Sequence, residues 1–237
     1  MQKNIVYEDK DVIVAYKPAG IATQTARLGQ RDMVSELKNY LARKDENKGK
    51  GAPYLGLVHR LDQPVAGILV FAKNKEAASS LSRQITEGVF HKYYDAVIYG
   101  NPVREQGILE NYLYKDGRTN MSMVVKEGFP EAKYAKLGYS LKETLMVLEA
   151  QQEASLMEIE LFTGRHHQIR VQMAYAGMPL LGDSKYGSEE SRVFSREIGC
   201  RNVALCACKL VFRHPETGKE MCFERKPEEE IFQPFIS

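Results

Sequence analysis

The chain has 237 residues, 43% of them hydrophobic and 27% charged, a balance that argues against wholesale disorder. Its 33 Lys and Arg stand against 31 Asp and Glu, so a net charge of +2 announces no nucleic-acid partner, and a basic surface would have to come from placement rather than from the total. No apolar run approaches the ~20 residues that span a bilayer, and the start MQKNIVYEDKDVIVAY lacks the core and cleavage site of a signal peptide. These features argue against a membrane span or secretion and for a cytoplasmic protein.

In chain order, IVYE and DVIVAYK read as two strands around an acidic turn at 8–11, rich in β-branched residues. Pro18 and Gly20 end the run. Met33, Val34, Leu37, Tyr40 and Leu41 then follow at helical spacing behind Asp32 as N-cap. Residues 43–53 read as a surface loop, basic on balance through Arg43, Lys44, Lys48 and Lys50, that is either simply solvated or in contact with phosphate. GILVFAK predicts a strand over 67–73, and a helix follows from Lys75, capped by Asn74. YYDAVIYG predicts another strand over 93–100, and residues 103–130 are polar with few apolar periods. MEIELF, 157–162, alternates as a half-buried strand. A helix is predicted over about 166–176, with Thr163 able to cap it and Gly177 and Pro179 to end it. VALCACKLVF and EMCFE predict two strands across an HPETGK turn. Cys200, Cys206, Cys208 and Cys222 form no C-x-x-C pair and read as small buried hydrophobes of a reducing compartment. The mixture without strict βαβ alternation predicts α+β with a largely antiparallel or mixed sheet.

Two stretches crowd polar residues at element boundaries. In HRLDQPVAG, His59, Arg60 and Asp62 precede a strand. A carboxylate beside an arginine stays ionised, which suits a nucleophile, a general base or a metal ligand; equally, the two could be a surface pair that fixes a turn. In TGRHHQIRVQ, Arg165, His166 and His167 fall in the first turn of the predicted helix, where cations oppose the helix dipole but favour an anionic partner. Adjacent helical histidines diverge by about 100° and hold one ion poorly. The i, i+4 histidine pair of zinc hydrolases, the P-loop, G-x-G-x-x-G and G-x-S-x-G are absent. Tyrosines beside cations, as in His91–Lys92–Tyr93–Tyr94 and Tyr112–Leu113–Tyr114–Lys115, suit an unstacked base, or are ordinary strand residues.

VHRLDQPVAGILVFAKN resembles the catalytic-Asp motif of the RluA-type pseudouridine synthases. EDKDVIVAYKPAGI, HKYYDAVIYG and LFTGRHHQIRVQMAYAGMPLLGDSKYG resemble three more motifs of that family, in its order, over roughly residues 5–212. The resemblance implies a single catalytic domain over 1–237, of α+β class, on a bent, mixed but mainly antiparallel sheet with flanking helices and a central cleft. It implies isomerisation of uridine to pseudouridine in structured RNA, rRNA or tRNA, by a monomer that uses no metal and no organic cofactor. Asp62 would be the nucleophile, Tyr94 would stack on the target base, and Arg165 would pair with Asp62. Arg60, His167, Gln168 and Arg170 would shape the cleft and contact RNA, and His59 would line it near the flipped nucleotide. Val65–Ala66 stand where the family commonly has Thr-Ser, and Gln172 stands where a His is common. The small basic domain that many members carry ahead of the catalytic one is not expected here. A non-catalytic RNA-binding protein on the same fold, and a metal-dependent hydrolase using His59 and Asp62, are the alternative readings.

Overall fold

The computed structural model describes residues 2–25, 29–44, 52–147 and 151–235. In chain order the strands and helices are β1 (Ile5–Glu8), β2 (Val12–Lys17), α1 (Met33–Lys44), β3 (Gly56–Leu57), β4 (Ala66–Ala72), α2 (Lys75–Glu87), β5 (His91–Tyr99), β6 (Gln106–Asp116), β7 (Met121–Val125), β8 (Lys133–Val147), β9 (Gln152–Leu161), α3 (Gln168–Tyr175), α4 (Glu189–Glu197), β10 (Leu205–Arg213) and β11 (Glu220–Glu224). The described residues fall into two compact units, one of residues 1–91 with 207–225, the other of residues 92–206 with 226–237. The class is α+β, and the strand pairs whose register is given below are antiparallel, as the sequence predicts. None of the described helices is long and apolar enough to cross a membrane.

The first unit is built on β2 and β4, whose residues are all buried, so both read as unbroken apolar runs instead of alternating ones. They pair antiparallel from Val12 opposite Ala72 to Lys17 opposite Gly67. β1 lies beside β2, β10 beside β4, and β11 pairs with β10 from Lys209 opposite Glu224 to Arg213 opposite Glu220. Gly67 is a required glycine: its φ is 127°, and a Cβ there would stand 2.3 Å from the backbone nitrogen of Ala207. The predicted caps hold. Asp32 Oδ1 accepts the Ser35 N–H at 2.8 Å, and Asn74 Oδ1 accepts the Ala77 N–H at 2.7 Å. Cys206 and Cys208 are buried as expected, but Cys222 is exposed and Cys200 half-buried, a correction. β11 alternates in exposure and turns Cys222 outward. Most of the loop read over 43–53, with Lys48 and Lys50, lies outside the described residues.

The second unit is a sheet in the order β5-β9-β8-β6-β7. Its largest departure from the sequence reading is the stretch 103–130, which holds β6 and β7 as a hairpin, followed by the fifteen-residue β8. β6 alternates between exposed and half-buried residues over most of its length and buries only Leu113, so it offers little apolar period. MEIELF is the end of β9, with Met157, Ile159 and Leu161 buried and Glu158 and Glu160 half-exposed, as the alternation predicts. α3 seats Val171 against Leu113 of β6 and Ala135 of β8, with Val124 and Tyr186 around them.

Candidate active site

Asp62 sits in the first unit, in a turn held from both sides. Leu61, just before it, is fastened to Thr23: the Thr23 hydroxyl donates to the Leu61 carbonyl at 2.8 Å, and the Leu61 N–H reaches the same hydroxyl at 3.2 Å. Gln63, just after it, is fastened to the Lys-Pro-Ala-Gly turn. The Gly20 N–H donates to the Gln63 carbonyl at 2.8 Å, and Gln63 Nε2 donates back to the Gly20 carbonyl at 3.0 Å. Lys17 is 0% exposed, and its ammonium donates to the carbonyls of Pro18, Ile21 and Gln63 at 3.0, 2.7 and 3.1 Å. Three donors thus meet three acceptors, and the buried charge is solvated by oriented peptide dipoles. The Val65 N–H closes the turn on the Asp62 carbonyl at 3.1 Å. The Asp62 residue itself stays half-exposed.

His59 is half-buried; its Nε2 accepts the Val70 N–H at 3.1 Å and its ring leans on Phe90, with 5.3 Å between centroids. The nitrogen that a metal would need is therefore already an acceptor within the fold. Arg60 is exposed. Val65 and Ala66, the departures from the family pattern, are 2% and 1% exposed; Ala66 opens β4 and Val65 stands just before it.

In the second unit the Thr-Gly-Arg-His-His segment is shaped by side chains before α3 begins. The sequence placed Thr163 as the cap and Arg165, His166 and His167 in the first turn; the structure corrects this, because α3 begins at Gln168 with His167 at the cap position. The Thr163 hydroxyl is engaged elsewhere, accepting the Lys136 N–H and donating to Gln168 Oε1 at 2.8 Å. Gln168 Oε1 also accepts the Arg165 N–H at 2.9 Å, and its Nε2 donates to the Lys136 carbonyl. Buried Gln168 is thus the clamp of this turn. Arg165 is exposed, and its Nε donates to the Tyr134 carbonyl at 2.8 Å.

His167 has a left-handed backbone, φ 53°, a conformation that a non-glycine residue keeps only when its surroundings enforce it. That backbone stacks the two imidazoles, 3.7 Å apart at 27°, where divergence was expected of a helix. Each ring is anchored through Nδ1, His166 to the Ser122 hydroxyl at 2.9 Å and His167 to the Tyr186 hydroxyl at 2.8 Å. The Tyr186 oxygen also accepts the Ser122 N–H at 2.8 Å. Tyr186 is placed by Asp183, which accepts the backbone N–H of Lys185 and Tyr186 and grips Arg170 with both oxygens at 2.7 Å. Arg170 lies 3% exposed under the Tyr186 ring. Tyr94 is 4% exposed on β5.

Of the predicted site residues, the second unit therefore ties Arg165 to Gln168 and His167 to Arg170 through Tyr186 and Asp183, while His59, Arg60 and Asp62 lie in one segment of the first. Lys17, Thr23, Ser122, Asp183 and Tyr186 were not singled out as site residues. Lys17, Asp183 and Tyr186 lie inside the family-like motifs; Ser122, in a stretch without apolar period, carries no signal. Beside the turn, a groove of about 570 Å³ is lined by residues including Tyr114, Lys115, Glu131, Lys133, Arg165 and His166.

Asp9, Asp11 and His214 are the one group of three candidate metal ligands found among the described residues. His214 Nδ1 accepts the N–H groups of Glu216 and Thr217, which leaves the ring proton on Nε2, directed at Asp9 at 2.8 Å. This is a hydrogen-bonded turn whose histidine offers no free lone pair.

A family model described as RNA pseudouridylate synthase matches residues 11–175. An uncharacterized RNA pseudouridine synthase of Bacillus subtilis is 34% identical over 226 residues, which cover 94% of this chain and 69% of that protein. Ribosomal large subunit pseudouridine synthase D of Neisseria meningitidis serogroup B is 35% identical over 240 residues, 98% of this chain and 60% of its own length. Among solved structures, Human RNA Pseudouridylate Synthase Domain Containing 4 superposes with a TM-score of 0.74 at 21% identity, over 98% of this chain and 91% of that one, a likeness of fold.

Proposed function

Because the chain belongs to the RNA pseudouridylate synthase family, and is thereby an isomerase, we propose that it converts uridine to pseudouridine within structured RNA, rRNA or tRNA, with Asp62 as nucleophile and without a metal or organic cofactor. The observation that carries this reading is the turn around Asp62. Both neighbouring peptides are clamped, by Thr23 on one side and by Lys17 and Gly20 on the other, while the aspartate stays half-exposed. A half-exposed carboxylate carried on a clamped turn is what a nucleophile requires. Asp62 acts on the ribose anomeric carbon, Tyr94 stacks on the flipped uracil, and Arg165 pairs with the carboxylate.

RNA reaches the second unit at the groove beside the Thr-Gly-Arg turn. Lys115, Lys133 and Arg165 line it against Glu131 alone. Among the described residues Lys115 and Lys133 have no ion-pair partner, which leaves both for phosphate. His59 and Arg60 flank Asp62 in sequence and serve the extruded nucleotide. His167, Gln168 and Arg170 act from within, by fixing the turn that carries Arg165. Location in the cytoplasm and action as a monomer complete the reading.

The test is tritium release from rRNA and from tRNA labelled at uracil C5, with and without excess chelator. Release from one pool, unchanged by chelator, supports the reading and names the substrate pool. Release abolished by chelator would contradict the cofactor-free mechanism, and tight RNA binding without release would favour a binding protein on this fold.

A further inference from the structure

Lys92 is the second residue of β5 and only 6% exposed. Other buried cations of the chain are satisfied: Lys17 by three carbonyls, Arg170 by Asp183. Lys92 differs. Among the described residues its ammonium has neither a hydrogen-bond acceptor nor a carboxylate in ion-pair range. Burial pushes its pKa below the ordinary lysine value, and no opposing carboxylate holds it up. Its ammonium keeps a little solvent contact while the rest of the side chain is buried, and a largely buried cation that no protein group compensates is not explained by stability alone.

Its placement supplies the reason. Strand alternation sets Lys92 and Tyr94 on the same face of β5, ~6.6 Å apart, both buried, while Tyr93 between them is half-exposed. The Lys92 Nζ also lies 3.6 Å from where a Cβ on Gly164 would stand, so the ammonium rests against the backbone of the Thr-Gly-Arg turn. An uncompensated cation therefore sits between the residue assigned to the target base and the turn that carries Arg165.

We propose that Lys92 is a further catalytic residue, whose ammonium hydrogen-bonds a carbonyl oxygen of the uracil while that base is detached from the ribose. The inference rests on the reaction proposed above. When the bond from C1′ to N1 breaks, its electron pair leaves with the uracil, and the negative charge spreads onto the ring carbonyl oxygens. An ammonium on a largely buried side chain attracts that charge more strongly than one in bulk water would. Asp62 takes the vacated place on C1′ and is released as the pair returns to the ribose in the new bond from C5 to C1′; the C5 proton departs to a base, and N1 takes up a proton. Lys92 keeps its own protons throughout.

Lys92→Met keeps the apolar stem and removes the charge. In tritium release from C5-labelled RNA, kcat should fall about 10²–10³-fold with KM within about twofold. The thermal midpoint should hold or rise, because an unpartnered buried charge is gone. Lys92→Arg should recover part of the lost kcat. A kcat within about threefold of wild type would overturn the assignment. So would a loss carried wholly by KM, which marks an RNA anchor, or a thermal midpoint lowered by several degrees, which marks a structural lysine. Lys92→Gln is read by the same criteria should the methionine variant fail to fold. Wild type that releases no tritium would sink the family reaction; wild-type release matched by Lys92→Met would sink only this role.

Discussion

Tyr186 joins two elements through a single oxygen, which accepts the Ser122 N–H of β7 and is hydrogen-bonded to His167 Nδ1 ahead of α3. Tyr186→Phe keeps the ring over Arg170 but strands the buried Ser122 N–H and frees His167. We expect a stability loss of about 1–3 kcal/mol in urea unfolding and a fall of about tenfold in kcat; unchanged values of both would show that the hydroxyl holds nothing. Asp9 sets an acid limit on the fold. Burial raises its pKa, but the Val12 and Asp11 N–H groups, the Tyr7 hydroxyl and His214 outweigh that and bring it from 3.8 to about 2. A group depressed in the folded state stabilises above its unfolded pKa and loses that contribution as pH falls through its folded value. About 2 kcal/mol should therefore disappear between about pH 4 and pH 2. Asp9→Asn should flatten that part of the stability profile, measured as urea midpoints; an unaltered profile would contradict it.

At the level of elements, legibility followed burial. β2, β4 and the end of β9 were legible because they are buried on both faces or alternate cleanly. The β6–β7 hairpin and β8 were not, because nearly all of β6 remains exposed or half-buried and it offers little apolar period. The start of α3 was misjudged for a different reason. Thr163 has the chemistry of a cap, yet its hydroxyl is taken by a residue of β8 and by Gln168, a tertiary demand that local sequence does not reveal. The same correction moves Arg165 and His166 out of the helix and onto the wall of the groove beside β6 and β7. Lys115→Gln with Lys133→Gln should then weaken RNA binding and reduce the slope of log affinity against log salt by about 1.4, the share of two phosphate contacts on a single strand. An unchanged slope would remove the groove from the RNA path.

For the molecule as a whole, composition was the least informative guide. A net charge of +2 concealed a groove whose lining holds Lys115, Lys133 and Arg165 against Glu131 alone, and an ordinary apolar fraction concealed a buried lysine without a partner. The candidate site was legible as motifs, since the Asp62 turn and the Thr-Gly-Arg segment both stood out. The residues that hold those motifs in place were not, because Lys17 on Gln63, Thr23 on Leu61 and Tyr186 on His167 are contacts between segments 19 to 46 residues apart. The measurement that bears most directly on the account compares wild type with Asp62→Asn in tritium release from C5-labelled RNA, with RNA affinity measured alongside. The variant should bind RNA within a fewfold of wild type and release no tritium above background. Sustained release by Asp62→Asn would contradict the assignment of the nucleophile.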